Sequence, residues 1–381
     1  MCAQTKPIFE GSSFSIRQSR LTDLLQQDRL DGMALNPGPS LTYLTGLHFH
    51  LSERPVIALF PVSLPPVIVL PELETAKLAD LDYPITCLTY GEDPATWSSI
   101  FAQGLSKAGL VGKSVGLEPS QMRVLELNLL EEASSQTHFV AADQAIASLR
   151  LRKDASEAAA MRVAVKIAQD ALEAALPAVY LGMTEREFAA ELTLQLLRHG
   201  SDPAIPFSPI VSCGPNSANP HASPSDRPFQ TGELLVVDWG AAFQGYISDL
   251  TRTFALGEIV PEYERIAQLT AQANAAGREA CRPGVTAESV DQAARGVIET
   301  GGYGKFFFHR TGHGIGMEGH EEPYIRQGNR LVLEPGMCFT VEPGIYLPGR
   351  GGVRVEDNVL ITSDGAECFS NLPRQLRQLP F

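Results

Sequence analysis

His309-Arg310-Thr311-Gly312-His313-Gly314-Ile315-Gly316-Met317-Glu318-Gly319-His320-Glu321-Glu322-Pro323 gathers three of the chain's eight histidines within twelve residues, among four glycines and three glutamates. Neutral imidazole is the commonest protein metal ligand, and glycine lets a backbone come close to an ion or a substrate. The spacing is not His-Glu-x-x-His on a helix, and the glycines point to a loop or a twisted strand edge. If His313 binds a metal, its fellow ligands lie elsewhere in the chain.

Working outward, Glu233-Leu234-Leu235-Val236-Val237-Asp238 is an apolar strand ending in a carboxylate, and Gly245 to Phe254 reads as a second strand. Gly240 and Gly245 bracket the turn between them, so a hairpin brings Asp238 towards Asp249. Two adjacent carboxylates repel unless one is protonated or a cation lies between them. Downstream, Met337 to Gly344 places Glu342 in an apolar strand, and Gly352 to Asp357 puts Arg354 and Glu356 on one strand face with Asp357 on the other. Each carboxylate alone is as well explained by a surface or ion-paired strand residue. Asp238, Asp249, His313, Glu342 and Glu356 together are too acidic for a structural zinc site and suit two bridged divalent ions such as Mn²⁺.

The elements around these strands repeat. Asp154 with Glu157 forms a capping box before an Ala-rich helix to about Ala178, and Thr184 with Glu187 opens a second helix ending at Gly200. A hundred residues later a helix from about Pro261 to Ala280 precedes Pro283-Gly284-Val285-Thr286 and a helix to Gly301. Strand-like sequence follows each unit, Ile205 to Cys213 and Lys305 to His309, which predicts an internal duplication with the site between the halves. The first third reads separately. Phe14 to Leu30 has helical spacing, Met33 to Leu35, Val56 to Val62 and Pro66 to Leu70 read as strands, and Glu72 to Asp80 as helix. The whole is α/β (α+β), with a mixed-sheet domain over 1–150 and the catalytic domain over 151–381.

At 381 residues the chain exceeds one ordinary core, as those two domains require. A net charge of −14 argues against nucleic acid and anionic membrane as partners. No apolar run approaches the roughly 18 to 20 residues of a membrane span. Met1 to Pro7 lacks the pattern of a secretory signal, and the six cysteines form no close pair, which points to reduced thiols and a cytoplasmic location.

Asp238-Trp239-Gly240, Gly245 to Thr253, Gly312-His313-Gly314-Ile315-Gly316, Val341-Glu342-Pro343-Gly344 and Val353 to Asp357 resemble the signature of the pita-bread metallopeptidases. These include prolidase, aminopeptidase P and methionine aminopeptidase; creatinase shares the fold without the metal. The resemblance is close over residues 151 to 375, and the first 150 residues resemble the N-terminal domain of the creatinase and prolidase branch. It implies an internal pseudo-twofold axis and two metal ions, Mn²⁺ first, with Co²⁺ or Zn²⁺ as alternatives. It implies that Asp238 holds one ion, Asp249 and Glu356 bridge both, and His313 and Glu342 hold the second, around a water that attacks the scissile carbonyl. By the same resemblance Glu342 relays the proton, His221 contacts substrate and His320 steadies the tetrahedral intermediate. His309 lines the pocket, and Arg354 lies near the substrate's proline or pairs with a ligand carboxylate. The N-terminal domain favours Xaa-Pro specificity: an Xaa-Pro dipeptidase acting on dipeptides, or an Xaa-Pro aminopeptidase acting on longer chains. A full set of ligand residues counts against a non-catalytic binding protein. The resemblance also implies a homodimer, with His48 to Pro55 a candidate for the far end of the substrate.

Overall fold

The helical spacing at the start of the chain produces α1 (Ser12–Gln27), which buries Leu21 and Leu25, and β1 (Gly32–Leu35) follows the turn at Asp31. The structure, a computed structural model, describes residues 12–379; Met1 to Pro7, on which the secretory-signal reading and Cys2 fall, lies outside the described residues. The chain divides into two compact units between Arg150 and Leu151.

In the first unit α2 (Pro39–Thr45) starts on a proline, whose missing N–H is no loss in a first helical turn, and ends at Gly46 in the left-handed region at φ 72°. Then come β2 (Ile57–Pro61), β3 (Val67–Pro71), β4 (Thr86–Tyr90), α3 (Trp97–Lys107), β5 (Ser114–Leu117), α4 (Val124–Ala133), β6 (His138–Ala141) and α5 (Asp143–Arg150). The six strands form one mixed sheet in the order β4-β3-β2-β1-β5-β6, antiparallel at β1/β2 and β2/β3 and parallel elsewhere. β2 and β3 are buried at every position, so their sequences are continuous apolar runs. Glu72 to Asp80 is not an α-helix but a 3₁₀ helix over Glu72–Leu78. None of its residues is buried, so no apolar stripe rewards α-helical periodicity.

The second unit opens with α6 (Ala155–Ala175) and α7 (Glu185–Arg198), each started by the expected capping box, Asp154 with Glu157 and Thr184 with Glu187. β7 (Ile210–Cys213), β8 (Glu233–Trp239), β9 (Ala242–Phe243), β10 (Tyr246–Ile247) and β11 (Leu250–Leu256) follow. After α8 (Pro261–Ala280) and α9 (Ala287–Thr300) come β12 (Gly312–Gly314), β13 (Glu321–Ile325), β14 (Cys338–Val341), β15 (Gly344–Leu347), β16 (Gly351–Arg354), β17 (Asp357–Ile361), β18 (Ala366–Cys368) and β19 (Arg377–Leu379). The main sheets are ordered β19-β11-β8-β7 and β13-β12-β14-β17-β18, and β9/β10 and β15/β16 are two-stranded ribbons.

The duplication is visible in this order. Each half runs helix, helix, then β7 in the first and β12 with β13 in the second, then an antiparallel pair (β8/β11 or β14/β17) whose connection carries a ribbon. Asp238 lies near the end of β8 and Asp249 just before β11; Glu342 follows β14 and Glu356 precedes β17. Both acidic pairs therefore occupy the same place in their half. Leu172, Phe188, Leu235, Val237 and Trp239 fill the core of the first half, and Val290, Phe339, Val341 and Val359 that of the second.

Four strand boundaries differ from the sequence expectation. Gly245 to Phe254 is broken at Ser248 and Asp249, where the Ser248 N–H donates to the Ala241 carbonyl at 2.9 Å and its hydroxyl accepts from the Ala241 N–H at 3.0 Å. Gly352 to Asp357 is broken at Val355 and Glu356, because the Glu356 N–H donates to the Thr251 carbonyl (3.1 Å) of the other half. β7 starts only at Ile210, since Pro206 and Pro209 offer no N–H to a ladder. Lys305 to His309 joins no sheet; a 3₁₀ turn covers Gly304–Phe306, and Arg295 donates to the Phe307 and His309 carbonyls.

Gly312 and Gly314 also serve an end other than an approach to an ion. A Cβ at Gly312 would lie 1.8 Å from the Thr340 carbonyl oxygen, and one at Gly314 2.1 Å from that of Glu322. They let β12 fit between β13 and β14, which delivers His313 to the site.

Candidate metal centre

All five sequence-selected groups line one cavity of about 910 Å³, with His221, His309, His320 and Arg354. Asp249, His313 and Glu356 come closest, each offering a ligand atom within 4.8 Å of the others. His313 Nε2 lies 3.3 Å from Glu342 Oε1 and 3.7 Å from Asp249 Oδ2. Asp238 joins from the far side, its Oδ2 taking a 2.6 Å hydrogen bond from Arg354 Nη2.

The electrostatics are those of a site built for positive charge. Burial first, then the charges of Glu356 and Asp238, push the Asp249 carboxyl well above the usual range. Burial with Glu342 and Asp238 does the same for Glu356. Glu342 is pushed up to about 7 by burial and Asp238, against the pull of Arg354. Burial, with His320 adding, brings His313 down to about 3, so the ring is neutral at pH 7. Its Nδ1 faces the Gly314 carbonyl at 3.1 Å; placing the proton there leaves the Nε2 lone pair facing the carboxylates. Asp238 Oδ1 and Asp249 Oδ1 are buried and meet no donor among the described residues. Buried acceptors normally find partners, and these carboxylates cannot all ionise together unaided. The donor set of carboxylate oxygens and one imidazole nitrogen therefore fits hard to borderline divalent ions.

The segments that carry the candidate ligands are held by side chains that are not themselves candidates for metal binding. The Asn358 amide spans the Asp249 backbone, accepting from its N–H (3.1 Å) and donating to its carbonyl (2.7 Å). The Thr251 hydroxyl donates to Glu356 Oε2 at 2.7 Å and accepts from Arg354 Nε at 3.0 Å. Arg354 Nη1 donates to the Tyr346 hydroxyl (2.9 Å) and the Pro220 carbonyl (3.3 Å). With its guanidinium so engaged and only 3% of the residue exposed, Arg354 is an ion-pair partner of Asp238 in this structure. His309 is also committed within the protein, Nδ1 to the Arg310 carbonyl at 2.7 Å and Nε2 to the Tyr346 hydroxyl at 3.0 Å. His221 and His320 stay accessible on the cavity wall, the His320 ring centroid 4.1 Å from that of His313.

Residues 159–363 match metallopeptidase family M24, and residues 17–152 match the creatinase/prolidase N-terminal domain. The chain belongs to metallopeptidase family M24. It is thus a metal-dependent hydrolase whose creatinase-type N-terminal α/β domain precedes a pita-bread domain, and the M24 span contains all five candidate ligands. The chain is 39% identical to the probable dipeptidase PepE of Mycobacterium bovis over 359 residues, 92% of each chain. It is 36% identical to the Xaa-Pro dipeptidase of Lactobacillus delbrueckii subsp. lactis over 365 residues, 95% of this chain and 98% of that one. The crystal structure of a prolidase from Thermococcus sibiricus superposes with a TM-score of 0.90 at 31% identity, covering 96% of this chain and 99% of the other.

Sequence reasoning passed over several residues of this M24 centre. Thr251 and Asn358 lie two positions from candidate ligands, yet nothing in a strand pattern says that their side chains bond to candidate-ligand residues of the other half. Tyr346 bears one of the largest fully buried side chains and joins Arg354 to His309, with burial holding its hydroxyl at about 12. Arg310 also lines the cavity. Its place inside the histidine-rich stretch was the available signal.

Proposed function

We propose that this chain is an Xaa-Pro dipeptidase that hydrolyses the bond before proline with two divalent metal ions, Mn²⁺ foremost. The observation that carries the reading is the convergence of four carboxylates and a neutral imidazole on one cavity, with Asp238 Oδ1 and Asp249 Oδ1 facing no donor among the described residues. The names dipeptidase and Xaa-Pro dipeptidase, borne by relatives matched over 92% and 95% of this chain, support a dipeptide substrate. The catalytic assignment falls on residues 151–381, because every one of these groups lies there, and residues 1–150 form the accessory N-terminal domain.

Asp249 and Glu356 would hold both ions, Asp238 one, and His313 with Glu342 the other. When bound, such ions supply Lewis acidity, making water acidic near neutral pH and drawing negative charge from the scissile carbonyl oxygen. The scissile nitrogen is that of the proline ring itself, carries no hydrogen in the peptide and must receive a proton to leave. Glu342 is the carrier: among the described residues its carboxylate takes one hydrogen bond, at 3.3 Å from the Thr340 hydroxyl, which leaves lone pairs for that proton. His221 and His320, accessible on the wall, hydrogen-bond the substrate. His309, with both ring nitrogens engaged, acts by orienting Tyr346. Arg310 has no carboxylate within ion-pair distance among the described residues; its guanidinium lies over the Tyr324 ring at 4.5 Å. A dipeptide's free carboxylate suits it.

An aminopeptidase acting on longer Xaa-Pro peptides uses the same ligands, and a cavity of about 910 Å³ leaves room for one. Metal-loaded protein is therefore mixed with Ala-Pro and with Ala-Pro-Ala and the free amino acids are analysed. Alanine from Ala-Pro alone is the expected result. Alanine from the tripeptide turns the assignment to an aminopeptidase, and no cleavage of either with Mn²⁺, Co²⁺ or Zn²⁺ ends it. A cytoplasmic homodimer completes the reading. All five described cysteines are free, in keeping with a reducing compartment, and no described helix is long and apolar enough to cross a membrane. Sedimentation equilibrium checks the pairing.

A further inference from the structure

Behind the segments that carry His221 and His309 stand two buried acids, one in each half of the catalytic domain. Glu185, the first residue of α7, is fully buried. Its Oε1 accepts from the Cys213 N–H (2.7 Å) and Asn216 Nδ2 (3.1 Å). Its Oε2 accepts from Asn216 Nδ2 (3.1 Å), the Ser225 N–H (2.9 Å) and the Ser225 hydroxyl (2.6 Å). Cys213 and Asn216 precede His221 and Ser225 follows it, so one carboxylate ties both roots of the loop together. The nearby cation Arg227 is committed to Glu233. What makes a buried, unpaired carboxylate tolerable is this full set of donors and the positive end of α7. The loop needs such an anchor, because Pro215, Pro220 and Pro224 deny it a backbone ladder.

The other half repeats the device. Asp291 lies five residues after the helix cap Thr286, and Glu185 one residue after the cap Thr184; the four-residue difference keeps both on the same face of equivalent helices. Asp291 accepts from the Thr311 N–H (3.2 Å) and hydroxyl (2.7 Å) and from Arg295 Nε (3.0 Å) and Nη2 (2.9 Å). Arg295 in turn donates to the carbonyls of Phe307 (3.0 Å) and His309 (2.8 Å). His309 lies inside the segment so held.

We propose that Glu185, and Asp291 with Arg295, are positioning residues that fix the segments presenting His221 and His309 to the cavity; the inference rests on the reading of that cavity as a peptidase site. None of the three lines the cavity, so each acts through its histidine. The test compares Mn²⁺-loaded wild type, Glu185→Gln, Ser225→Ala, His221→Ala and the double variant E185Q/H221A on Ala-Pro. A second readout needs no turnover and uses the diamagnetic Zn²⁺-loaded proteins: the ring ¹³C–¹H signal of His221, identified by its loss in H221A. Misplacing a group by about 1 Å costs on the order of a hundredfold, so E185Q should lower kcat/KM about ten- to a hundredfold and S225A about threefold. Metal content should not change. Because Glu185 acts through His221, the double variant should fall no more than about twofold below H221A alone. The His221 signal should shift or broaden in E185Q and S225A. D291N with H309A forms the matching cycle in the other half. Additive losses with an unmoved His221 signal would overturn the proposal and leave Glu185 a purely structural acid; if E185Q does not fold, S225A with H221A decides between the same two outcomes. A wild type that cleaves no Ala-Pro, but whose His221 signal responds to E185Q, removes the peptidase reading and keeps the positioning.

Discussion

Asp249 is buried among the charges of Glu356, Asp238 and Glu342, and its Oδ1 has no partner among the described residues. Asp249→Ala should reduce bound metal from two ions per chain to one or none, measured by elemental analysis. Losing a direct ligand costs more than the ten- to hundredfold typical of residues that merely orient one, so Ala-Pro hydrolysis should fall by more than about a hundredfold. Retained two-ion stoichiometry would remove Asp249 from the bridging role. Arg310 supports a sharper statement about substrate. If it binds the free carboxylate, Arg310→Ala loses a charge-assisted hydrogen bond of about 1.5–3 kcal/mol and raises KM for Ala-Pro roughly ten- to a hundredfold. For Ala-Pro-amide, which lacks that charge, KM should barely change. An equal rise for both substrates would place Arg310 elsewhere in recognition.

Among the elements, the site depends on how two hairpins meet. β11 and β17 are not paired along their lengths; they are joined where the Glu356 N–H meets the Thr251 carbonyl and where Asn358 clasps the Asp249 backbone. Asn358→Ala leaves a buried N–H and a buried carbonyl at Asp249 without partners, a cost of about 1–3 kcal/mol each when no water can reach them. We expect a lower melting temperature and metal affinity reduced about ten- to a hundredfold, read by thermal scans and by competition with a chelator. A variant with unchanged metal affinity would show that β11 holds Asp249 without the clasp. The same crossing explains the broken strands. Asp249 and Glu356 leave their ladders because they must face one another's half of the domain.

For the molecule as a whole, metal binding and protons are linked. Burial and mutual repulsion raise Asp249, Glu356 and Glu342 above ordinary carboxylates, Glu342 to about 7. The metal-free folded chain therefore keeps protons that the unfolded chain has already released. Its stability should fall as pH rises from the ordinary carboxylate range, about 4.5, to about 7. Mn²⁺ binding at pH 7 must displace those protons, so its calorimetric heat should vary with the buffer's ionisation enthalpy. The gain in melting temperature on adding Mn²⁺ should also be larger at pH 8 than at pH 6. Heats that do not depend on the buffer would mean that the carboxylates are already ionised.

Local rules set what could be read directly. The capping boxes at Asp154 and Thr184 join residues three positions apart, so the helix starts needed no tertiary information. The apolar run ending at Asp238, the acidic strands and the glycine-bracketed His313 marked the candidate ligands for the same reason. Their grouping on one cavity came from the matched order of elements in the two halves. Only the folded chain decided what those groups touch. Arg354 finds Asp238 across 116 positions, Thr251 finds Glu356 across 105, and Glu185 reaches Ser225 across 40. A buried polar side chain is stable only where it meets its donor or acceptor, and that partner is chosen by the crossing of strands and loops remote in sequence. Sequence alone therefore named residues that the fold gathers on one cavity. Tertiary packing chose which of them stay free to meet a substrate and which are already spent on one another.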